Sequence, residues 1–361
     1  MGEESYERLV DALNALPSGF PRTPSGAEFP LLMKVFTAEE AELAGQMSRT
    51  YETAAQIAKR VGLAEVKAKE LLDGLLPRRL IRRAVVEEEE KFRLGPFIFG
   101  WFENHLQRMS DDKEFAELVE TYLTEGGADR ILSPRPGILG VIPARGSLKP
   151  ELLQPYDDID AHFQRHERFM VIDCVCRVSS NMLGGNCTMP VKRCAFVGLP
   201  PQTPLSENVL DREQALKLFD ELEDMGHIHL GFYGFISTAA SPQFVGCCNC
   251  CGDCCDILRG ITDFGLAESP QRANYRAVID LENCIYCGIC AERCQVHAIT
   301  EDEDSVPLLD RAKCLGCGLC VIKCPTDAIE LVPVSAEEWF YVPSSFEEWE
   351  EIRLRNLGLM K

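Results

Sequence analysis

Cys284-Ile-Tyr-Cys287-Gly-Ile-Cys290-Ala-Glu-Arg-Cys294 has the spacing C-x2-C-x2-C-x3-C. Thirty residues later Cys314-Leu-Gly-Cys317-Gly-Leu-Cys320-Val-Ile-Lys-Cys324-Pro325 repeats it, and the flanks repeat too, Val296-His-Ala-Ile-Thr300 matching Thr326-Asp-Ala-Ile-Glu330. Working outward, all 18 cysteines of the 361-residue chain lie after residue 173. Upstream of the duplicated runs stand Cys174, Cys176, Cys187 and Cys194, then Cys247, Cys248, Cys250, Cys251, Cys254 and Cys255.

Apolar content of 46% and charged content of 26% are those of a folded globular chain, long enough for two or three domains. The start, Met1-Gly-Glu-Glu-Ser-Tyr-Glu-Arg8, is acidic with no apolar signal core, and no stretch has the length of a membrane span. The expectation is therefore a cytoplasmic chain whose cysteines serve metals as thiolates and are not paired in disulfides. Residues 1–150 hold 24 acidic and 20 basic side chains, and residues 151–361 hold 33 and 17. The cysteine-rich half is thus the acidic half. It disfavours nucleic acid and favours a basic docking partner.

The duplicated runs closely resemble the bacterial-type ferredoxin with two 4Fe–4S clusters, over about Ala277–Pro333. In that family the fourth cysteine of each run ligates the other cluster. The resemblance therefore implies one cluster on Cys284, Cys287, Cys290 and Cys324, and a second on Cys314, Cys317, Cys320 and Cys294. Each three-cysteine loop would wrap three corners of a cubane, with Gly288 and Gly318 allowing close backbone approach. Apolar Ile285, Ile289, Leu315, Leu319 and Ile322 are expected to exclude water. Gln295 stands where the family often has proline. Two structural zinc sites fit interleaved, duplicated runs poorly. With every iron supplied with a cysteine, the implied job is one-electron transfer.

The run Gly246-Cys-Cys-Asn-Cys-Cys-Gly-Asp-Cys-Cys255 contains two C-x2-C-x3-C patterns one residue apart, Cys247/Cys250/Cys254 and Cys248/Cys251/Cys255. One run would then offer three thiolates to each of two sites. Ten upstream cysteines exceed the eight that two clusters need; one cluster would leave six over. Six cysteines in nine residues argue against inert thiols, which would oxidise readily. One or two additional iron–sulfur clusters are expected between residues 171 and 260, with zinc as the alternative. Residues 130–260 also resemble the middle segment of multidomain 4Fe–4S proteins of anaerobic bacteria and archaea, in which a C-x-C-R motif and a C-C-x-C-C-x-x-C-C run precede a dicluster ferredoxin. That resemblance implies redox work. Arg177 could offset thiolate charge or bind an anionic substrate, with a structural ion pair the default, and His227 and His229 could be ligands or proton donors, with a surface or half-buried strand pair the default. No phosphate-cradling glycine loop is present.

In the N-terminal half, Thr37-Ala-Glu-Glu40 and Thr53-Ala-Ala-Gln56 are capping boxes. The second helix should stop at Gly62. A third is expected from about Ala64 to Leu76, with Val66, Leu71, Leu72 and Leu75 on its apolar face. Leu80–Val86 and Lys91–Leu94 read as strands joined by Glu87–Glu90. Over Pro30–Leu94 this resembles the winged helix-turn-helix domains. Lys59, Arg60, Lys67, Lys69, Arg78, Arg79, Arg82 and Arg83 could form a basic face, yet four glutamates occupy the wing tip. A protein-docking role is therefore read ahead of DNA binding.

A helix is expected from Trp101 to about Glu125, an irregular Pro/Gly-rich connector over 131–150, and a helix over Asp157–Arg168. Phe169–Asp173 reads as a strand and Asp211–Met225 as a helix. The tail, with Phe346, Trp349 and Ile352 at helical spacing, should pack back onto the chain.

The whole reads as an α+β multidomain protein. Its parts are a winged-helix-like domain (1–105), a helical or irregular connector (106–170), a Cys-rich α/β metal-binding domain (171–270), a dicluster ferredoxin domain (275–334) and an acidic aromatic tail (335–361). Its function reads as iron–sulfur electron transfer, as a carrier or a subunit of a larger cytosolic oxidoreductase in an anaerobe, with redox proteins as partners. The alternatives are a reductase with a catalytic cluster in the middle domain and a redox-sensing winged-helix DNA-binding regulator. No catalytic residue is assigned.

Overall fold

A computed structural model describes residues 2–233, 244–266 and 269–360. The chain divides into two compact units, one of Met1–Ile131, Val178–Gly184 and Leu354–Lys361, the other of Leu132–Arg177 and Gly185–Arg353.

The first unit opens with α1 (Gly2–Asn14), α2 (Glu28–Val35) and α3 (Ala38–Ala44). Then come β1 (Glu52–Thr53), α4 (Ala54–Val61), α5 (Glu65–Leu75), β2 (Ile81–Val86) and β3 (Glu89–Leu94). Both capping boxes form: the Thr37 and Thr53 hydroxyls accept from the Glu40 and Gln56 backbone, and those side chains accept in return. Gly62 ends α4 at φ +74°, a conformation open to glycine without strain. The three strands run in the order β1-β3-β2, all antiparallel.

Three expectations change here. Val66 is 83% exposed, and α5 instead buries Ala68, Leu72 and Leu75. Only Glu87 and Glu88 form the turn, both at positive φ as a two-residue hairpin requires, while Glu89 and Glu90 join β3. The helix expected from Trp101 to Glu125 is broken into α6 (Phe102–Arg108) and α7 (Lys113–Tyr122) because the Asp112 carboxylate caps the Phe115 N–H. A short α8 (Ala128–Leu132) follows. Phe20, Phe97, Trp101 and Tyr122 pack ring on ring in the core.

The second unit centres on a six-stranded antiparallel sheet, order β4-β8-β9-β6-β5-β7. Its strands are β4 (Leu139–Ile142), β5 (Phe169–Asp173), β6 (Lys192–Phe196), β7 (Val209–Leu210), β8 (Ile228–Tyr233) and β9 (Phe244–Cys250). The span expected as an irregular connector therefore contains an edge strand. Ile138–Ile142 is an apolar run buried against β8, with Leu139 opposite Phe232. The helix expected over Asp157–Arg168 shrinks to α9 (Ile159–Gln164), capped by Asp158. Next are α10 (Val175–Met182) and α11 (Arg212–Asp224), the latter capped by Asp211 with Gln214 completing the box. The Phe219 ring of α11 stacks on His229 of β8 at 4.9 Å, so this helix covers one face of the sheet.

After α12 (Arg259–Thr262), β10 (Tyr275–Ile279) pairs with β13 (Ile329–Pro333), and β11 (Ile299–Glu301) with β12 (Pro307–Leu309). A one-turn α13 (Ile289–Glu292) lies between β10 and β11. The backbone repeats with the sequence: Gly288 and Gly318 have φ +75° and +73°, and His297 and Asp327 have +50° and +53°. Ala144 N–H, just after β4, donates to Cys317 O of this module at 2.8 Å, and Gln271 N–H, in the segment leading into it, donates to Leu139 O of β4 at 3.1 Å. α14 (Phe346–Asn356) packs back as expected: Trp349 is fully buried and donates its indole N–H to Gly137 O at 2.9 Å.

The Tyr275 hydroxyl donates to Asp157 (3.1 Å), whose carboxyl burial pushes up to about 6. The folded chain therefore holds this proton over a range where the unfolded chain has released it, and stability falls as pH rises from about 4 to about 6. The full shift is worth up to about 3 kcal/mol. Asp157→Asn should raise the urea midpoint at about pH 7 and flatten its fall from about pH 5; an unchanged slope would contradict this assignment.

Candidate metal centres

The dicluster-like module contains two voids, each walled by four cysteines. Cys284, Cys287, Cys290 and Cys324 line the first; Cys294, Cys314, Cys317 and Cys320 line the second. The fourth cysteine of each run thus stands with the other run. The N–H groups of Ala298 and Ala328 donate to Cys294 Sγ (3.1 Å) and Cys324 Sγ (3.2 Å), one more element of the repeat. Eight soft donors in two sets of four suit iron–sulfur clusters, and N–H···S bonds help set their potential.

The two voids differ in cover. The first is bounded only by the module, with Cys287 exposed, Ile285 59% exposed and Tyr286 45% exposed. The water-excluding role expected of Ile285 is therefore not met. The second is bounded also by Ile228 of β8, and its Leu315 and Leu319 are each 2% exposed. Burial pushes the Cys317 thiol up to about 12. Metal ligation, which takes the thiolate, would offset that cost.

The ten upstream cysteines sort differently from the interleaved pattern. β9 is a strand through Cys250, so Cys248 and Cys250 share one face, and Cys247 and Asn249 take the other. On the first face six thiols form a closed sequence of electrostatic neighbours, Cys174 with Cys176 and Cys194, Cys194 with Cys248, Cys248 with Cys250, Cys250 with Cys255, and Cys255 with Cys176, and of these contacts Cys194 Sγ–Cys248 Sγ is a hydrogen bond of 3.6 Å. Hydrogen bonds from their neighbours hold Cys174 and Cys255 well below the ordinary thiol range. The same shared bonds, with burial, push Cys176, Cys194 and Cys250 well above it.

Beyond the strand, Cys251 and Cys254 meet Cys187, with Cys251 Sγ 3.5 Å from each of the other two. Arg177, fully buried, donates Nε–H to Cys187 (3.1 Å) and Nη2–H to Cys251 (2.8 Å) and Cys254 (3.4 Å). It also donates Nη1–H to Pro190 O, and its sulfur partners match the thiolate-charge role weighed beside the default ion pair. Cys247 belongs to neither group; its thiol donates to Cys248 O, and burial pushes it up.

The opposite face carries His227 and His229 together with polar partners that sequence reasoning missed, Glu223, Asn249 and Arg193. His229 lies between Asn249 Oδ1 (2.6 Å) and Glu223 Oε1 (2.9 Å), and His227 contacts Arg193. Both histidines are fully buried, correcting the surface or half-buried expectation, because each finds partners from α11, β6 or β9. Burial pushes His227 down to about 4, leaving it neutral, so its Nδ1–H donates to Leu222 O and Nε2 accepts from Arg193. Burial pushes Glu223 up, yet His229 and Arg145 hold it below its ordinary value. The one signal for this row was Asn249, the single non-cysteine between Cys247 and Cys251.

Gln295 joins the two cysteine regions. Its Oε1 accepts the Gly252 N–H at 2.7 Å, and Arg293 beside it donates to Glu223 O (2.6 Å) and Asp224 O (3.0 Å).

A cysteine-rich iron–sulfur protein is the class that these sites define. A family model described as a 4Fe-4S dicluster domain matches residues 277–331. No curated protein matches the chain. With the cysteine-rich middle region, the matched domain points to iron–sulfur electron transfer. No helix among the described residues is long and apolar enough to cross a membrane.

A Cβ on residue 252 would collide with Gln295 O, a backbone atom unable to swing aside. Gly252→Ala should therefore cost about 1–3 kcal/mol and lower the melting temperature, while Gln295→Ala, losing one acceptor, should cost less. Equal melting of Gly252→Ala and wild type would show that this contact carries no load.

Proposed function

We propose that the chain is a cytosolic iron–sulfur electron-transfer protein, working as a redox subunit of a larger oxidoreductase in an anaerobe. The observation that carries this reading is the exchange of fourth cysteines, Cys324 into the first void and Cys294 into the second. One 4Fe–4S cluster would be held by Cys284, Cys287, Cys290 and Cys324, and another by Cys294, Cys314, Cys317 and Cys320. When bound they supply one-electron chemistry. The ring of Cys174, Cys176, Cys194, Cys248, Cys250 and Cys255 takes a further iron–sulfur centre, since buried thiolates this close need cations among them.

The strand order β1-β3-β2 around α4 and α5 supports a winged-helix reading of the N-terminal unit, in a docking role. Of the eight basic residues that could face DNA, Arg60, Lys67, Lys69, Arg78 and Arg83 are paired with carboxylates of the same unit. A redox protein with a basic surface suits the excess of acid in residues 151–361.

Anaerobic iron and sulfide analysis with EPR of the reduced full chain tests the cluster content. About twelve irons are expected; about eight would remove the ring centre from the proposal. Cys317→Ser should abolish one cluster signal and spare those of the middle region, and joint loss would contradict their separation. The full chain should show no salt-dependent retention of duplex DNA; such retention would put the regulator in place of the docking role.

A further inference from the structure

Cys187, Cys251 and Cys254 are set apart by spacing. Among the described residues they are the one group of three or more metal-type ligands whose donor atoms all lie within 4.8 Å of one another. A single tetrahedral ion with bonds of about 2.3 Å places its thiolate sulfurs about 3.8 Å apart. The 3.5 Å contacts from Cys251 to Cys187 and to Cys254 come near that value. Sulfurs on separate corners of a cluster stand further apart. The same chain supplies the comparison, since no three of the eight cysteines around the two module voids meet that closeness.

We propose that Cys187, Cys251 and Cys254 bind one thiophilic divalent cation, zinc in the first place, at a site distinct from every iron–sulfur centre. The donor set is right for zinc, which takes thiolates in tetrahedral array. Charge fits as well. A divalent cation on three thiolates carries net −1, and the buried Arg177 guanidinium, bonded to all three sulfurs, brings the site to zero. A fourth thiolate would leave it at −1 again, and the ring holds the neighbouring Cys250 and Cys255 for itself. Three protein ligands leave the fourth position to water or to a small thiol or anion. That is the arrangement of exchangeable zinc sites, where closed structural sites take four protein ligands. This inference stands on sulfur spacing, donor type and local charge and does not rest on the electron-transfer reading.

The test uses the full chain, produced with zinc and iron and purified without oxygen. Elemental analysis should give one zinc per chain, and zinc X-ray absorption should show three sulfurs at about 2.3 Å and one lighter neighbour. Cobalt(II) in place of zinc should give a thiolate-to-cobalt charge-transfer band. Cys251→Ala should lose the zinc and the band, with iron content and the EPR of the reduced clusters unchanged. Should that variant fail to fold, Cys187→Ala, at a half-buried loop position, carries the same test, with the cluster EPR as its internal check of folding. Arg177→Gln should weaken zinc against a competing chelator by about tenfold or more, and Arg177→Lys should recover part of the loss. Absence of zinc from the wild type, zinc that survives Cys187→Ala, or a fall of about four irons in that variant would each overturn the proposal.

Discussion

β9 sends successive residues to opposite faces of the sheet, and that alternation decides what each cysteine from 247 to 250 meets. Cys248 and Cys250 share the face reached by Cys194 of β6, and with Cys174, Cys176 and Cys255 they close the ring. Asn249 takes the other face, where it bonds His229 beneath α11. The strand then ends and the chain turns, so Cys251 and Cys254 escape the ring and reach Cys187. One run feeds two sites because its backbone changes conformation halfway along.

Charge compounds that constraint. Six neighbouring buried thiols cannot all ionise in a low-dielectric interior without cations, since each thiolate formed raises its neighbours. Arg177 supplies one fixed positive charge, and it serves the three-thiol group instead of the ring. Behind the sheet, Glu223 is matched by His229 and Arg145, which makes that face self-sufficient. The demand for positive charge therefore falls on the ring side, the side where the donors are all sulfur.

What could be read from the sequence was what is local. The duplicated runs carry their own spacing, flanks and glycines, so the dicluster module was legible as a domain. Capping boxes at Thr37 and Thr53 lie within four residues, and both formed. β4 was hidden because strand identity there is conferred by pairing with β8, some ninety residues away, against a background of proline and glycine. His227 and His229 alternate like a surface pair, and only partners from α11, β6 and β9 bury them. The sorting of the ten upstream cysteines was illegible for a narrower reason. It depends on the register of β9 and on where it ends, and a register shifted by one would reverse the faces.

Gln295 shows how a local departure acquires meaning from distant structure. At the position where ferredoxin runs often carry proline, this chain presents a side-chain oxygen, and the Gly252 N–H binds it. Proline has no acceptor beyond its carbonyl, so it could not make this bond. Because Gln295 follows Cys294, the bond ties the second void to the loop that carries Cys251 and Cys254. The first void, bounded by exposed Ile285 and Tyr286, remains open to solvent. Under the electron-transfer reading this imposes an order. The first void lies on the module's open side, the second lies against Ile228 of β8, and Cys294 and Gln295 lead from it to the Gly252 loop. The exposed apolar rim of the first void, which works against water exclusion, is then the surface that a partner would cover.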